Sequence, residues 1–325
     1  MLAGCLDSDS SSGSNGGSGL NSGNLTGGSV EAARDLITID AENVPAIFKA
    51  ATEALGIVDD EARYLTQNLA DDAAYDLMWA DDYLDDKSSG EQACDGGGSY
   101  TFSITGEYVA DYDLSDMDLG RNTQTFTNCD LDGFYIDSDI LNGGFVYDLQ
   151  EEGDGHLETF AFDDLAVTDE SDDTLTHTYN GALKIKRDAG GDLESLSAKA
   201  FSIDRKEGDD ESWLRIHDLT WSGWDDSRLG SLLQGSPDMI VDLHELDGAF
   251  ELLVDDALTS RFIGMTKGKL KLTGAGDLSI HIEVTGTDEV TVALHGADGN
   301  EIEGCTVTGH GIDDELELPD GCSID

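Results

Sequence analysis

The chain has 325 residues, with 17 Lys+Arg against 70 Asp+Glu and a formal net charge of −53. That charge argues against nucleic acid, whose recognition needs a basic stripe, and against a basic grip on anionic lipid. A hydrophobic share of 38% still builds a core, so wholesale disorder is excluded too.

The chain opens Met1-Leu2-Ala3-Gly4-Cys5. Leu2-Ala3-Gly4-Cys5 resembles the lipobox of bacterial lipoproteins. The resemblance implies cleavage before Cys5, which becomes the new N-terminus and receives lipid chains. Leu6 stands where an Asp would be the inner-membrane retention signal of enteric bacteria, so the resemblance points to the outer membrane or cell surface. Residues 6–30 hold 8 Ser, 7 Gly and 3 Asn, the composition of a flexible tether. Such a chain spans about 25–30 Å root-mean-square. No stretch reaches the roughly 20 apolar residues of a helical membrane span.

Leu36-Ile37-Thr38-Ile39-Asp40 reads as a short strand. Asn43-Val44-Pro45 then opens a helix, with Asn43 as cap and Pro45 in the first turn. Val44, Ile47, Phe48, Ala51 and Leu55 form its apolar stripe, and Gly56 is placed to stop it. A second helix is expected from about Asp59 to Asp86, with Val58, Ala62, Leu65, Leu69 and Leu84 on its buried face. Asp81, Asp82, Asp85 and Asp86 crowd its last turn against the helix dipole.

From Cys94 onward the period is two. Tyr100, Phe102 and Ile104 alternate with Thr101, Ser103 and Thr105, and Leu278, Ile280, Ile282 and Val284 alternate with polar neighbours. These are half-buried antiparallel strands, about ten to fourteen of them. Asn142-Gly143, Asn180-Gly181, Asp247-Gly248 and Asp298-Gly299 read as hairpin turns. A weak repeat aligns Leu141–Tyr147 with Tyr179–Ile185, 38 residues on, and Leu157–Val167 with Leu193–Ile203. A third copy, at Leu246–Leu252, breaks the spacing, so a regular solenoid or propeller is excluded. The fold class is mainly β with a small N-terminal helical segment (α+β): a large curved antiparallel meander or incomplete barrel. The expected divisions are a lipobox at 1–5, a tether at 6–34, a helical segment at 35–90 packing on the sheet, and a β domain at 91–325. This layout resembles uncharacterised envelope lipoproteins of marine Gram-negative bacteria.

Setting Cys5 aside leaves Cys94, Cys129, Cys305 and Cys322. Their spacing suggests Cys94–Cys129 and Cys305–Cys322, one of three possible connectivities. No CxxC spacing supports zinc. Asp111, Asp113, Asp116 and Asp118 alternate as in calcium loops, but Asp116 sits where an EF-hand needs Gly. Asp130, Asp132, Asp137 and Asp139 form a second acidic cluster. Calcium is the one cofactor these clusters could take; solvated acidic turns are the alternative. His281 and Glu283 share a strand face as half of a metal site or as a surface pair. Trp213, Trp221 and Trp224 could stack on a ligand or pack in the core. Lys267, Lys269 and Lys271 occupy one strand face, opposite Leu270 and Leu272, and Lys184 and Lys186 do likewise beside Leu183 and Ile185. Adjacent strands would merge the five into a cationic patch; cross-strand pairing with acids is the alternative.

No nucleophile elbow, phosphate loop or dinucleotide fingerprint occurs. The leading expectation is therefore a lipid-anchored envelope protein with a non-catalytic binding or scaffolding β domain. Its partners would be the membrane, through the anchor, and a hydrophobic ligand or envelope component. The alternatives are a calcium-ordered adhesive module and a secreted hydrolase. The negative charge is dispersed rather than blocked, which suits salty surroundings. At seawater ionic strength the Debye length is about 4 Å, so self-repulsion is largely screened. The melting temperature is expected to rise from low to molar salt; a flat or falling salt titration would refute this.

Overall fold

The computed structural model describes residues 27–64, 89–94, 96–106, 120–130, 139–169, 175–190, 193–222, 234–261, 264–286 and 289–308. Among the described residues one helix, α1 (Val44–Tyr64), precedes the strands. The first seven are β1 (Ser89–Ala93), β2 (Gly97–Gly106), β3 (Gly120–Asp130), β4 (Asp139–Glu152), β5 (Gly155–Asp169), β6 (Leu175–Arg187) and β7 (Leu193–Glu207). The rest are β8 (Asp210–Ser222), β9 (Gln234–Leu243), β10 (Phe250–Arg261), β11 (Gly264–Thr273), β12 (Ser279–Gly286), β13 (Glu289–His295) and β14 (Glu301–Thr308). All fourteen lie in one sheet in sequence order, and each neighbouring pair is antiparallel. The sheet is an open meander, with β1 and β14 as its edges.

Period-two alternation decides which face each side chain takes. In β12 and β13, Ile280, Ile282, Val284, Val290, Val292 and Leu294 face inward and are buried. In β5, Phe160 and Phe162 do the same, with Phe162 stacked 5.6 Å from Phe145 on β4. One continuous apolar cluster takes in these inner faces together with α1. The helix supplies Val44, Ile47, Phe48, Ala51, Leu55 and Val58, all at most 3% exposed.

Gly56 does not stop the helix: α1 runs through it to Tyr64. A helical Gly costs only about 1 kcal/mol relative to Ala, and burying Val58 one half-turn later offsets it. The expected second helix is thus, as far as Tyr64, a continuation of the first; Leu65, Leu69 and Leu84 lie outside the described residues. Asn43 stands at the helix start, and its carbonyl accepts from Ile47 N–H at 3.0 Å. Its side chain turns backward instead of capping: Oδ1 accepts from Asp40 N–H, and Nδ2 donates to the Thr38 carbonyl.

The expected strand at 36–40 is only two isolated parallel bridges, Leu36 to Ala249 and Thr38 to Ala275. They belong to a strap, residues 27–38, that crosses the outer face of the sheet. Gly28 N–H donates to the Phe162 carbonyl at 2.5 Å, and Ile37 N–H to the Ala249 carbonyl at 2.7 Å. Residues 27–34 of the expected tether are therefore docked on the sheet.

Two of the four expected turns are not turns. Asp247-Gly248 and Asp298-Gly299 do connect strands, but Asn142-Gly143 and Asn180-Gly181 sit inside β4 and β6. They serve a line of β-bulges. β3 and β5 each carry an extra residue against β4. At those places Asn128 and Asp164 adopt left-handed φ of 44° and 50°. The freed N–H groups are taken by side chains: Asn128 by Asn142 Oδ1 at 2.8 Å, Asp164 by Asn180 Oδ1 at 2.9 Å. Gly143 and Gly181 are needed because φ is +106° and +96°, and a Cβ would meet the Asp164 or Ala200 carbonyl oxygen. The 38-residue repeat is thus physical: β4–β5 and β6–β7 are two copies of one bulged hairpin. Bulges bend and twist a sheet, which lets a long meander curve over its own core.

Cys94 and Cys129 are disulfide-bonded, with Cα atoms 5.5 Å apart, on the core side of the β1–β3 edge. Cys305 on β14 is disulfide-bonded as well, and Cys322 lies outside the described residues.

Gly143→Ala is expected to lower stability by about 1–3 kcal/mol from backbone strain alone. Gly56→Ala, with open space around its Cβ, is expected to raise it by about 1 kcal/mol. Urea denaturation of the two variants should move the midpoint in opposite directions.

Candidate functional site

Outer-face residues converge where the strap crosses β8 and β9. Trp213, Arg215 and His217 alternate with inward Leu214 and Ile216 on β8, and Asp242 lies between inward Val241 and Leu243 on β9. Arg215 and Asp242 are cross-strand partners. The strap brings Glu31 and Arg34 onto this patch.

Arg34 meets the Asp242 carboxylate three times. Its backbone N–H donates to Oδ2 at 2.9 Å, Nε–H donates to Oδ1 at 2.8 Å, and Nη2 stands 2.6 Å from Oδ1. Nη2 also donates to the Leu243 carbonyl at 2.6 Å. The Asp242 side chain is 0% exposed, so this charge is buried and fully paired. Arg215 Nη2 pairs with Glu31 at 2.8 Å. Both guanidiniums lie over the Trp213 ring, Arg215 at 3.9 Å and Arg34 at 4.8 Å from its centroid. Burial raises the Asp204 carboxyl above its ordinary range; Arg215 opposes this, and Glu31 and Asp164 reinforce it. His217 is lowered, chiefly by burial.

The expected ligand-binding tryptophans separate. Trp213 already carries two guanidiniums, whereas Trp221 is 0% exposed in the core. An extra residue in β8 between His217 and Thr220, where Asp218 takes φ of 51°, switches the parity between them. Trp224 lies outside the described residues.

The five lysines do not form a patch, because β6 and β11 are five positions apart in the sheet. Lys186 pairs with Glu194 at 2.7 Å and Lys269 with Glu283 at 2.8 Å, the cross-strand pairing alternative. With Glu283 committed to Lys269, His281 turns to His295: their rings stack at 4.0 Å. Ser279 Oγ lies 3.1 Å from His281 Nε2, and the Gly299 carbonyl 3.1 Å from His295 Nδ1.

Of the acidic clusters, only Asp130 has a described side chain. Its carbonyl accepts from Gly96 N–H at 3.0 Å, and its Oδ1 is buried with no hydrogen-bond partner among the described residues. Asp111, Asp113, Asp116, Asp118, Asp132 and Asp137 lie outside the described residues, as does Cys5. Among the described residues no three His, Cys, Asp or Glu gather as a metal cluster. An open groove of about 330 Å³ runs by Thr105, Gly120, Arg121, Asp148 and Gln150. Within it Arg121 donates to Asp148 at 2.8 Å, and Glu151 also lines it.

Sequence reasoning missed Arg34, Glu31, Arg215 and Asp242. One signal was available: Arg34 is the first basic residue of the chain, five residues after Ser29 at the end of the Gly/Ser-rich run. Comparison with protein-family models, curated proteins and solved structures returns no match.

His281 is held below its ordinary value of 6.5, first by burial, then by His295 and Lys271, with Asp255 opposing. A depressed histidine stays neutral in the fold while the unfolded chain protonates. Its contribution is therefore intact above pH 6.5 and is lost as pH falls below it. Between pH 7 and 5.5, wild type is expected to lose more stability than His281→Gln. Parallel denaturation curves for the two at both pH values would contradict this.

Proposed function

We propose that the protein is a lipid-anchored envelope protein whose β domain scaffolds rather than catalyses. The observation that carries most weight is the Cys94–Cys129 disulfide within the core, which suits an oxidising compartment outside the cytoplasm. The lipobox-like Leu2-Ala3-Gly4-Cys5 and the Ser/Gly-rich segment after it supply the anchor and the spacer. The outer membrane or the cell surface is the corresponding location, with Leu6 after the lipidated Cys5.

Scaffolding is favoured over lipid carriage by what fills the inner face. A lipid-handling half-barrel keeps that face open for its ligand. Here Val44, Ile47, Phe48, Ala51 and Leu55 of α1 occupy it, each at most 1% exposed. The outer face offers paired charges instead, such as Lys186–Glu194 and Lys206–Glu211.

Mass spectrometry of protein isolated from its native envelope tests this reading. The N-terminal peptide is expected to begin at Cys5 and to carry a diacylglyceryl group, and Cys5→Ser should release the protein from the membrane fraction. An unmodified Cys5, or membrane retention of Cys5→Ser, would overturn it.

A further inference from the structure

Asp242, the Leu243 carbonyl and the Trp213 ring make a combination that matches one chemical group. A buried carboxylate accepts in-plane N–H donors, a carbonyl takes another N–H of the same group, and an aromatic face lies alongside. Only a guanidinium is planar, carries several donors in a fixed fork, and stacks on an aromatic ring at once. An ammonium is a compact point charge and would leave part of this set unused. Arg34, 36% exposed, fills the pocket from the strap rather than from the sheet.

The strap is held lightly on either side of this contact. Between Gly28 and Asp35 its contacts are Glu31 to Arg215, and Arg34 to Asp242, the Leu243 carbonyl and the Trp213 ring. The next backbone contacts are Gly28 to Phe162 and Asp35 to Ala249. Lifting this stretch breaks no strand pairing, so the pocket can be vacated without unfolding the sheet. Vacating it would leave the Asp242 carboxylate without the guanidinium that pairs with it, a loss that any other guanidinium relieves.

We propose that Asp242, the Leu243 carbonyl and Trp213 form a receptor for an arginine side chain, with Arg34 as its resident ligand. An arginine-bearing segment from outside then competes with the strap for the same pocket. The favoured ligand is an extended segment with an acid three residues before the arginine, since Glu31 reaches Arg215 in that register. This assignment is independent of the lipid anchor.

Chemical rescue of the full chain tests it. Arg34→Ala is expected to melt several degrees below wild type. N-acetyl-arginine amide at millimolar concentration should restore much of that loss, and N-acetyl-lysine amide should not. The double variant Arg34→Ala/Asp242→Asn should respond to neither. A synthetic peptide of residues 27–36 should bind Arg34→Ala at least tenfold more tightly than the same peptide with lysine at the arginine position. If Arg34→Ala does not fold, Arg34→Lys is titrated with the same two amides, and the arginine compound alone should raise its melting temperature. Equal responses to the two amides, or rescue of the double variant, would overturn the proposal.

Discussion

An antiparallel sheet with one apolar face must hide that face, and among the described residues the fourteen strands form one sheet with no second sheet to pack on. The solution is to lay α1 on the inner face and curve the meander around it. Phe48 and Leu55 of the helix belong to the same buried cluster as Phe162, Trp221, Leu272 and Val292 of the strands. Each buried side chain of this size contributes about 1.5–3 kcal/mol, so this burial outweighs any surface pairing. The bulge line at Asn128, Asp164 and Asp218 follows from the same need, because a flat sheet of this width could not close over α1.

An open sheet also has rims, where the core meets solvent. Cys94 and Cys129 seal one rim on the core side of β1–β3, and the bonded Cys305 packs against the core at the β14 rim. Covalent links suit these places, because edge strands have half the pairing of central ones and fray first.

The strap adds a second clamp on the opposite face. It ties β5, β8, β9 and the turn before β10 together from outside, while α1 does so from inside. In a chain of net charge −53, a buried carboxylate survives only where a cation is delivered to it, and the basic residues are few. Arg34 and Arg215 are spent here, while Lys186, Lys199, Lys206 and Lys269 form exposed pairs that contribute little each.

Much of the fold was legible in the chain. Alternation marked the strands, the Val44–Leu55 stripe and Asn43-Val44-Pro45 marked the helix, and cysteine spacing suggested Cys94–Cys129. These are local signals, set by backbone geometry over a few residues. The misread features share one cause. Asn142-Gly143 looks the same in a turn as in a bulge, and only the neighbouring strand decides which it is. Trp213 and Trp221, eight residues apart, belong to one face until a bulge opposite β9 separates them. Arg34 and Asp242 are 208 residues apart, and nothing near either one announces the other. The sequence by itself determined the elements, the meander class and the dispersed acidity. The register, the faces and the arginine pocket were decided by tertiary structure, because pairing across strands and packing of the strap depend on residues that local periodicity does not connect.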